Sequence, residues 1–80
     1  GIDEQRGISE VNEAQAYIKE MILPRAGFTC FLADPSKLGV TSTYFFARTE
    51  EIDTLITCRE ANHPILENLP ALGVDVCLAP

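Results

Sequence analysis

One segment, SEVNEAQAYIKEMIL at residues 9–23, repeats its apolar residues at spacings of three and four. That spacing places them on one face of an α-helix, so the segment is predicted to be helical. Ser9 is of a type preferred at the N-cap, and Pro24 and Gly27 are of types that end helices. A helix with one continuous apolar stripe is therefore the first constraint on the fold.

Two segments with a different pattern follow this helix. Residues 28–33 and 40–48 are rich in β-branched and aromatic residues and are bounded by turn-forming residues, so both are predicted strands. The sequence DPSKLG between them begins with Asp-Pro and ends with Gly39, which favours an antiparallel hairpin. A phosphate-binding loop is not favoured, because such loops carry several glycines and lead into a helix.

The last third of the chain is predicted to hold more helix and one more strand. Thr49 and the acidic residues after it are typical of a helix start, with Leu55 facing inward. An Asn-His-Pro sequence interrupts this helix, and PILENLPAL is predicted to be a further short helix that begins at Pro64 and halts near Pro70, with Gly73 ending the helical region. Residues 74–79 alternate around apolar side chains and are predicted to be a third strand.

The predicted fold is a small single α+β domain of α-β-β-α-β order over residues 9–80, preceded by a flexible polar arm at residues 1–8. This order is similar to the ferredoxin-like β-α-β-β-α-β pattern without its first strand. In that fold the missing strand lies between the last strand and the hairpin. The arm or another chain is expected to fill this place.

Composition limits the partners that the chain can be expected to bind. A hydrophobic fraction of 46% and a charged fraction of 22% are those of a folded globular domain. The net charge of −6 repels phosphate groups, which argues against nucleic acid and anionic membranes as direct partners. Three widely spaced cysteines predict reduced thiols and a cytoplasmic location.

The residues that could carry chemistry do not form a recognisable site in the sequence. Cys58 and His63 are at most half of a zinc site, because structural zinc sites use four ligands in closely spaced pairs. Cys30 alternates with apolar residues on a predicted strand, where a thiol is normally a core residue. The sequence therefore predicts no catalytic residue, no metal, no cofactor and no enzymatic activity.

The predicted hairpin presents phenylalanine on both of its faces, whatever its register. Two helices can cover only one face of a small sheet, and an uncovered apolar face marks an interaction site. The chain is therefore predicted to be a non-catalytic interaction or assembly module, as a homodimer or with a larger protein. The predicted interface residues are Phe31, Phe45, Thr29 and Thr43.

Two other functions remain open at this stage. A regulatory domain could bind a small molecule at a subunit junction, because ferredoxin-like sheets often pair and hold ligands there. An acidic inhibitor that mimics nucleic acid is the third and weaker reading of the net charge.

Overall fold

Two three-stranded sheets and two short α-helices make up the computed structural model, which describes residues 1–80. The elements are, in chain order, β1 (Ile2–Asp3), β2 (Gly7–Glu10), α1 (Glu13–Ile22), β3 (Cys30–Leu32), β4 (Tyr44–Ala47), β5 (Thr54–Cys58), α2 (Ile65–Asn68) and β6 (Asp75–Ala79). Short 3-10 turns precede or follow several of them. The prediction of a small α+β domain is confirmed at this level, and β6 lies where the third strand was expected.

The first sheet is antiparallel, in the order β1-β2-β4, and contains the N-terminal residues. The structure therefore differs from the flexible arm predicted at residues 1–8. Ile2 and Ile8 are both 0% exposed and belong to the hydrophobic core. Two isolated isoleucines in a polar segment give no periodicity, yet their burial and the pairing of β2 with β4 join this hairpin to the core.

The second sheet is parallel, in the order β3-β5-β6. The predicted hairpin is wrong, because β3 pairs with β5 and β4 pairs with β2. The helix predicted after Thr49 is also wrong. Residues 49–51 form only a 3-10 turn, and the β-branched sequence TLITC continues as β5, the central strand of the parallel sheet.

The two faces of the parallel sheet differ in burial. The inner face presents Ala33, Leu55 and Thr57, all buried, toward the first sheet and α2, whose Ile65 is in the same core. On the opposite face no residue is buried. We call this side the open face; by the strand registers it carries Cys30, Leu32, Thr54, Ile56, Cys58, Asp75, Cys77 and Ala79.

Helix α1 begins three residues later than the sequence suggested. Asn12 is its N-cap and accepts a hydrogen bond from the Gln15 N–H at 3.0 Å. Ser9, the predicted cap, is buried in β2 instead. Ala16 is the buried residue of α1, and most of the apolar stripe is exposed. No helix has the length and apolar character needed to cross a membrane.

Candidate functional site: a cleft between α1 and β3

A cleft with a volume of about 630 Å³ lies between the second half of α1, strand β3 and the antiparallel sheet. Nine of its sixteen lining residues are hydrophobic. The hydrophobic wall includes Ile22, Leu23, Phe28, Phe31 and Phe46. The cleft thus combines a mostly apolar wall with a small set of polar groups, which is the usual composition of a small-molecule site.

Polar side chains from several elements line the cleft: Ser9 and Glu10 from β2, Lys19 from α1, Thr29 just before β3, and Lys37 and Ser42 from the connection between β3 and β4. The Ser42 backbone N–H donates a hydrogen bond to the Ser9 Oγ at 2.8 Å. Ser9 is 3% exposed and belongs to strand β2. The hydrogen bond therefore joins the segment around Ser42 to this strand at the rim of the cleft.

The two lysines of the cleft are in different electrostatic situations. Lys19 Nζ donates to Glu10 Oε2 at 2.6 Å and lies 5.5 Å from the centroid of the Phe46 ring. This hydrogen bond, together with the charge of Lys19, lowers the pKa of Glu10 from its ordinary value. Lys37 forms no ion pair. Of the two lysines that line the cleft, only Lys37 is therefore without an ion-pair partner, in a chain of net charge −6.

The loop DPSKLG carries Lys37 and is not a plain hairpin turn. The Asp34 carboxylate accepts hydrogen bonds from the hydroxyl and the backbone N–H of Ser36, which lower the pKa of Asp34, and the backbone contact caps the 3-10 turn at Pro35–Lys37. Leu38 is then buried, while the Gly39 N–H donates to the Ile2 carbonyl at 2.7 Å. The loop thus leads from the parallel sheet to the antiparallel sheet and leaves Lys37 at the cleft.

Gly39 is required in this loop for two reasons. Its φ of +74° lies in the left-handed region, where side chains other than glycine are strained. In addition, a Cβ at this position would lie 2.5 Å from His63 Nε2. The orientation of the His63 ring is fixed by a hydrogen bond, in which its Nδ1 accepts from the Ile65 N–H at 3.0 Å.

The four predicted interface residues do not share one face. Thr29 and Phe31 line the cleft, and Phe31 is half-buried against the core. Phe45 and Thr43 lie instead in a second, shallower groove beside the first half of α1. The two pairs are separated because β3 and β4 belong to different sheets. A homodimer interface at these residues stays a prediction.

The cysteines and the histidine do not assemble into a metal site, since no group of three or more potential ligands comes together. Cys30 and Cys77 are exposed, and Cys58 contacts the Glu60 carboxylate. The prediction that Cys30 is a core residue is wrong. Its strand alternates as expected, but its side chain points to the open face.

Sequence reasoning missed Lys19, Lys37 and Ser42 as site residues. Lys37 lies in a segment whose composition predicts a turn, and Lys19 lies on a predicted helix among acidic residues, so neither residue type points to a site. These residues come together through the pairing of β2 with β4 and the path of the loop after β3. No spacing within the sequence encodes that arrangement.

The chain is a small α+β domain with a cleft whose mostly apolar lining is typical of small-molecule sites. Residues 1–59 match the family described as the DeoR C terminal sensor domain, and the chain belongs to this family. No solved structure matches the chain.

Several curated relatives are transcriptional regulators. The chain is 40% identical over 76 residues to the HTH-type transcriptional repressor GlcR of Bacillus subtilis, covering 95% of this chain and 29% of the relative. It is 36% identical over 75 residues to the HTH-type transcriptional regulator GlpR of Haloferax volcanii, covering 94% and 29%. It is 34% identical over 70 residues to the regulator UlaR of Escherichia coli, covering 88% and 28%. The chain therefore spans less than a third of these relatives.

These comparisons correct two of the predictions. The assembly-module reading is wrong as the main function, because the family is one of sensor domains of transcriptional regulators. The exclusion of nucleic acid as a partner is also wrong for the family, since the relatives are HTH-type regulators. The net charge of −6 belongs to these 80 residues alone and carries no information about the other parts of an HTH-type regulator. The relatives are regulators rather than enzymes, in agreement with the predicted lack of catalysis.

Proposed function

We propose that this domain is the ligand-sensing part of a transcriptional regulator, and that it binds a small molecule with an anionic group in the cleft between α1 and β3. The observation that carries the proposal is Lys37, a cation with no ion-pair partner in a cleft of about 630 Å³. A cytoplasmic setting is part of the proposal.

Several features of the cleft support an anionic ligand. The hydroxyl groups of Ser9 and Ser42 and the ammonium group of Lys37 line it, so a bound anion could receive charge-assisted hydrogen bonds. Lys37 also follows the carboxyl end of β3, and ligands of open α/β sheets commonly bind beyond the carboxyl ends of parallel strands. The apolar wall would contact the remainder of the ligand.

The proposal does not require the ferredoxin-like arrangement or a subunit junction, both of which stay predictions. It also does not require the domain to mimic nucleic acid. Arg6, Arg25 and Arg48 also form no ion pair, and Lys37 differs from them because it lines the cleft.

The test is a thermal-shift screen of small metabolites arranged in matched pairs, one neutral and one anionic. A ligand at a hundred times its dissociation constant should stabilise the domain by roughly 2.7 kcal/mol. Anionic members should raise the melting temperature, and Lys37→Gln should remove the shift. Arg6→Gln is the matched control, because Arg6 is exposed and lies outside the cleft.

Two results would contradict the proposal. One is equal stabilisation by the neutral and anionic members of each pair, and the other is an unchanged shift in the Lys37→Gln variant. A shift lost equally in both variants would indicate a general effect of net charge and would also count against the cleft.

A further inference from the structure

The loop DPSKLG, residues 34–39, has few contacts that could hold Lys37 in place. Residues 34–37 are exposed, and their hydrogen bonds stay within residues 34–40. The Lys37 side chain itself forms no ion pair. Lys37 therefore takes its position from the ends of the loop rather than from a polar contact of its own side chain.

The end of the loop after Lys37 is held at Gly39 by two separate elements. The Gly39 N–H donates to the Ile2 carbonyl of β1 at 2.7 Å. The side of Gly39 where a Cβ would stand faces the His63 ring, since that Cβ would lie 2.5 Å from Nε2 and 2.7 Å from Cε1. The ring is thus packed directly against the glycine, and it blocks any movement of this end of the loop toward α2.

His63 is in turn anchored to the core. It lies in the connection between β5 and α2, where its Nδ1 accepts a hydrogen bond from the Ile65 N–H at 3.0 Å. Ile65 is 1% exposed and belongs to the hydrophobic core. The His63 side chain therefore has two separable contacts, one through its acceptor nitrogen with the start of α2 and one through its ring with the loop that carries Lys37.

We infer that His63 is a positioning residue of the cleft, whose ring packs against Gly39 and thereby holds the loop so that the ammonium group of Lys37 stays at the cleft. His63 does not line the cleft, so it acts through the loop. A loop that is ordered before binding does not have to be ordered by the ligand, which improves affinity. This role rests on the proposed function for its effect on binding, whereas its effect on the loop can be measured without any ligand.

Two substitutions separate the two contacts of His63. His63→Asn removes the ring but keeps an acceptor for the Ile65 N–H, because asparagine side chains commonly accept from the N–H two residues further on. His63→Phe keeps a ring against Gly39 but removes the acceptor. Asn62→Ala is the matched control, since Asn62 is exposed in the same connection.

The first measurement is made without ligand, by backbone amide chemical shifts and hydrogen exchange. His63→Asn should change the shifts of residues 37–39 and should speed exchange of the Gly39 amide at least about threefold, because this end of the loop opens more often. His63→Phe should leave these amides nearly unchanged. It should instead lower the midpoint of urea unfolding, because the Ile65 N–H loses its partner.

The second measurement is a titration with inorganic phosphate as the probe anion, followed at the Lys37 amide. His63→Asn should raise the dissociation constant roughly three- to tenfold, since a displaced Lys37 loses part of a charge-assisted hydrogen bond. His63→Phe and Asn62→Ala should stay within about twofold of the unmodified protein. A residue that only stabilised the fold would give the opposite order, with the larger loss of affinity in the less stable His63→Phe variant.

Unchanged amides at residues 37–39 in His63→Asn would overturn the role of His63 and leave the proposed function intact. Equal changes in His63→Asn and His63→Phe would also overturn it, because the ring contact would then not be what holds the loop. The same holds if Lys37→Gln weakens phosphate binding and His63→Asn does not. If the unmodified protein binds neither phosphate nor any anion of the thermal-shift screen, the proposed function fails, and the amide measurements alone decide whether His63 positions the loop.

Discussion

The Lys19 Nζ lies 2.6 Å from the Glu10 Oε2 and thereby joins helix α1 to the end of strand β2 across the cleft. The side chains are 43% and 24% exposed, so solvent screens the pair. Its contribution to stability should therefore be at most about 1 kcal/mol. Its larger consequence is electrostatic, because the Glu10 carboxylate compensates the charge of Lys19 and leaves Lys37 as the lysine of the cleft without an ion-pair partner.

The first prediction concerns the pH dependence of stability. The pKa of Glu10 in the folded state is lowered from its ordinary 4.5, so the stabilisation from the Lys19 pair is present above pH 4.5 and is lost as the pH falls through the folded value. Glu10→Gln should lower the free energy of unfolding by at most about 1 kcal/mol at neutral pH and should flatten its decrease in acid.

Urea unfolding over a descending pH series measures this effect. Glu20→Gln is the control, because Glu20 is on α1 but forms no ion pair. An acid dependence that is the same in the Glu10→Gln variant and in the unmodified protein would contradict the role of the pair.

The second prediction tests whether the N-terminal hairpin belongs to the folded core. Ile8 is 0% exposed, so Ile8→Ala should destabilise the protein by about 2–5 kcal/mol through lost burial and a cavity. Val11→Ala, at a position that is 73% exposed, should change stability by no more than about 0.5 kcal/mol. Denaturant unfolding measures both variants, and comparable small effects would show that residues 1–8 are an arm after all.

The third prediction concerns the loop that carries Lys37. Gly39→Ala should cost about 1–3 kcal/mol, because alanine is strained at a φ of +74° and its Cβ would meet the His63 ring. Gly27→Ala is the matched control, since a Cβ at Gly27 has no neighbour within 4 Å. Combining Gly39→Ala with His63→Ala should remove the steric part of the cost and leave the part due to φ.

Denaturant unfolding of the unmodified protein, Gly39→Ala, His63→Ala and the double variant completes the double-mutant cycle, and Gly27→Ala is measured beside them. An additive cost in the double variant would mean that Gly39 and His63 do not meet. An equal cost for Gly27→Ala and Gly39→Ala would contradict the special conformation of Gly39.

The parts of the fold that sequence predicts correctly are those fixed by local pattern. Helix α1 and strand β6 each carry their own periodicity, so their places follow from neighbouring residues. The acidic residues after Thr49 predict a helix wrongly, since a helix start and a 3-10 turn before a strand begin with the same residue types. The β-branched residues Thr54, Ile56 and Thr57 favour the strand, and this pattern conflicts with the helix-start pattern just before it.

The parts that sequence does not predict depend on long-range pairing. The parallel contact of Phe31 with Leu55 joins segments more than twenty residues apart, and nothing local distinguishes it from the hairpin expected between β3 and β4. The cleft cannot be predicted from the sequence for the same reason. Ser9, Lys19 and Lys37 lie on separate elements, and their convergence follows from the sheet topology rather than from a motif.

The central claim is that the cleft binds the ligand through Lys37. The most direct measurement is a titration of the isotopically labelled domain with the best compound from the thermal-shift screen, followed by backbone amide chemical shifts. The account predicts that the largest changes lie at Lys37, Ser42 and Phe46, and that Lys37→Gln weakens binding at least about tenfold, as expected for a charge-assisted hydrogen bond. Largest changes in the groove at Thr43 and Phe45, or an unchanged affinity in the Lys37→Gln variant, would contradict it.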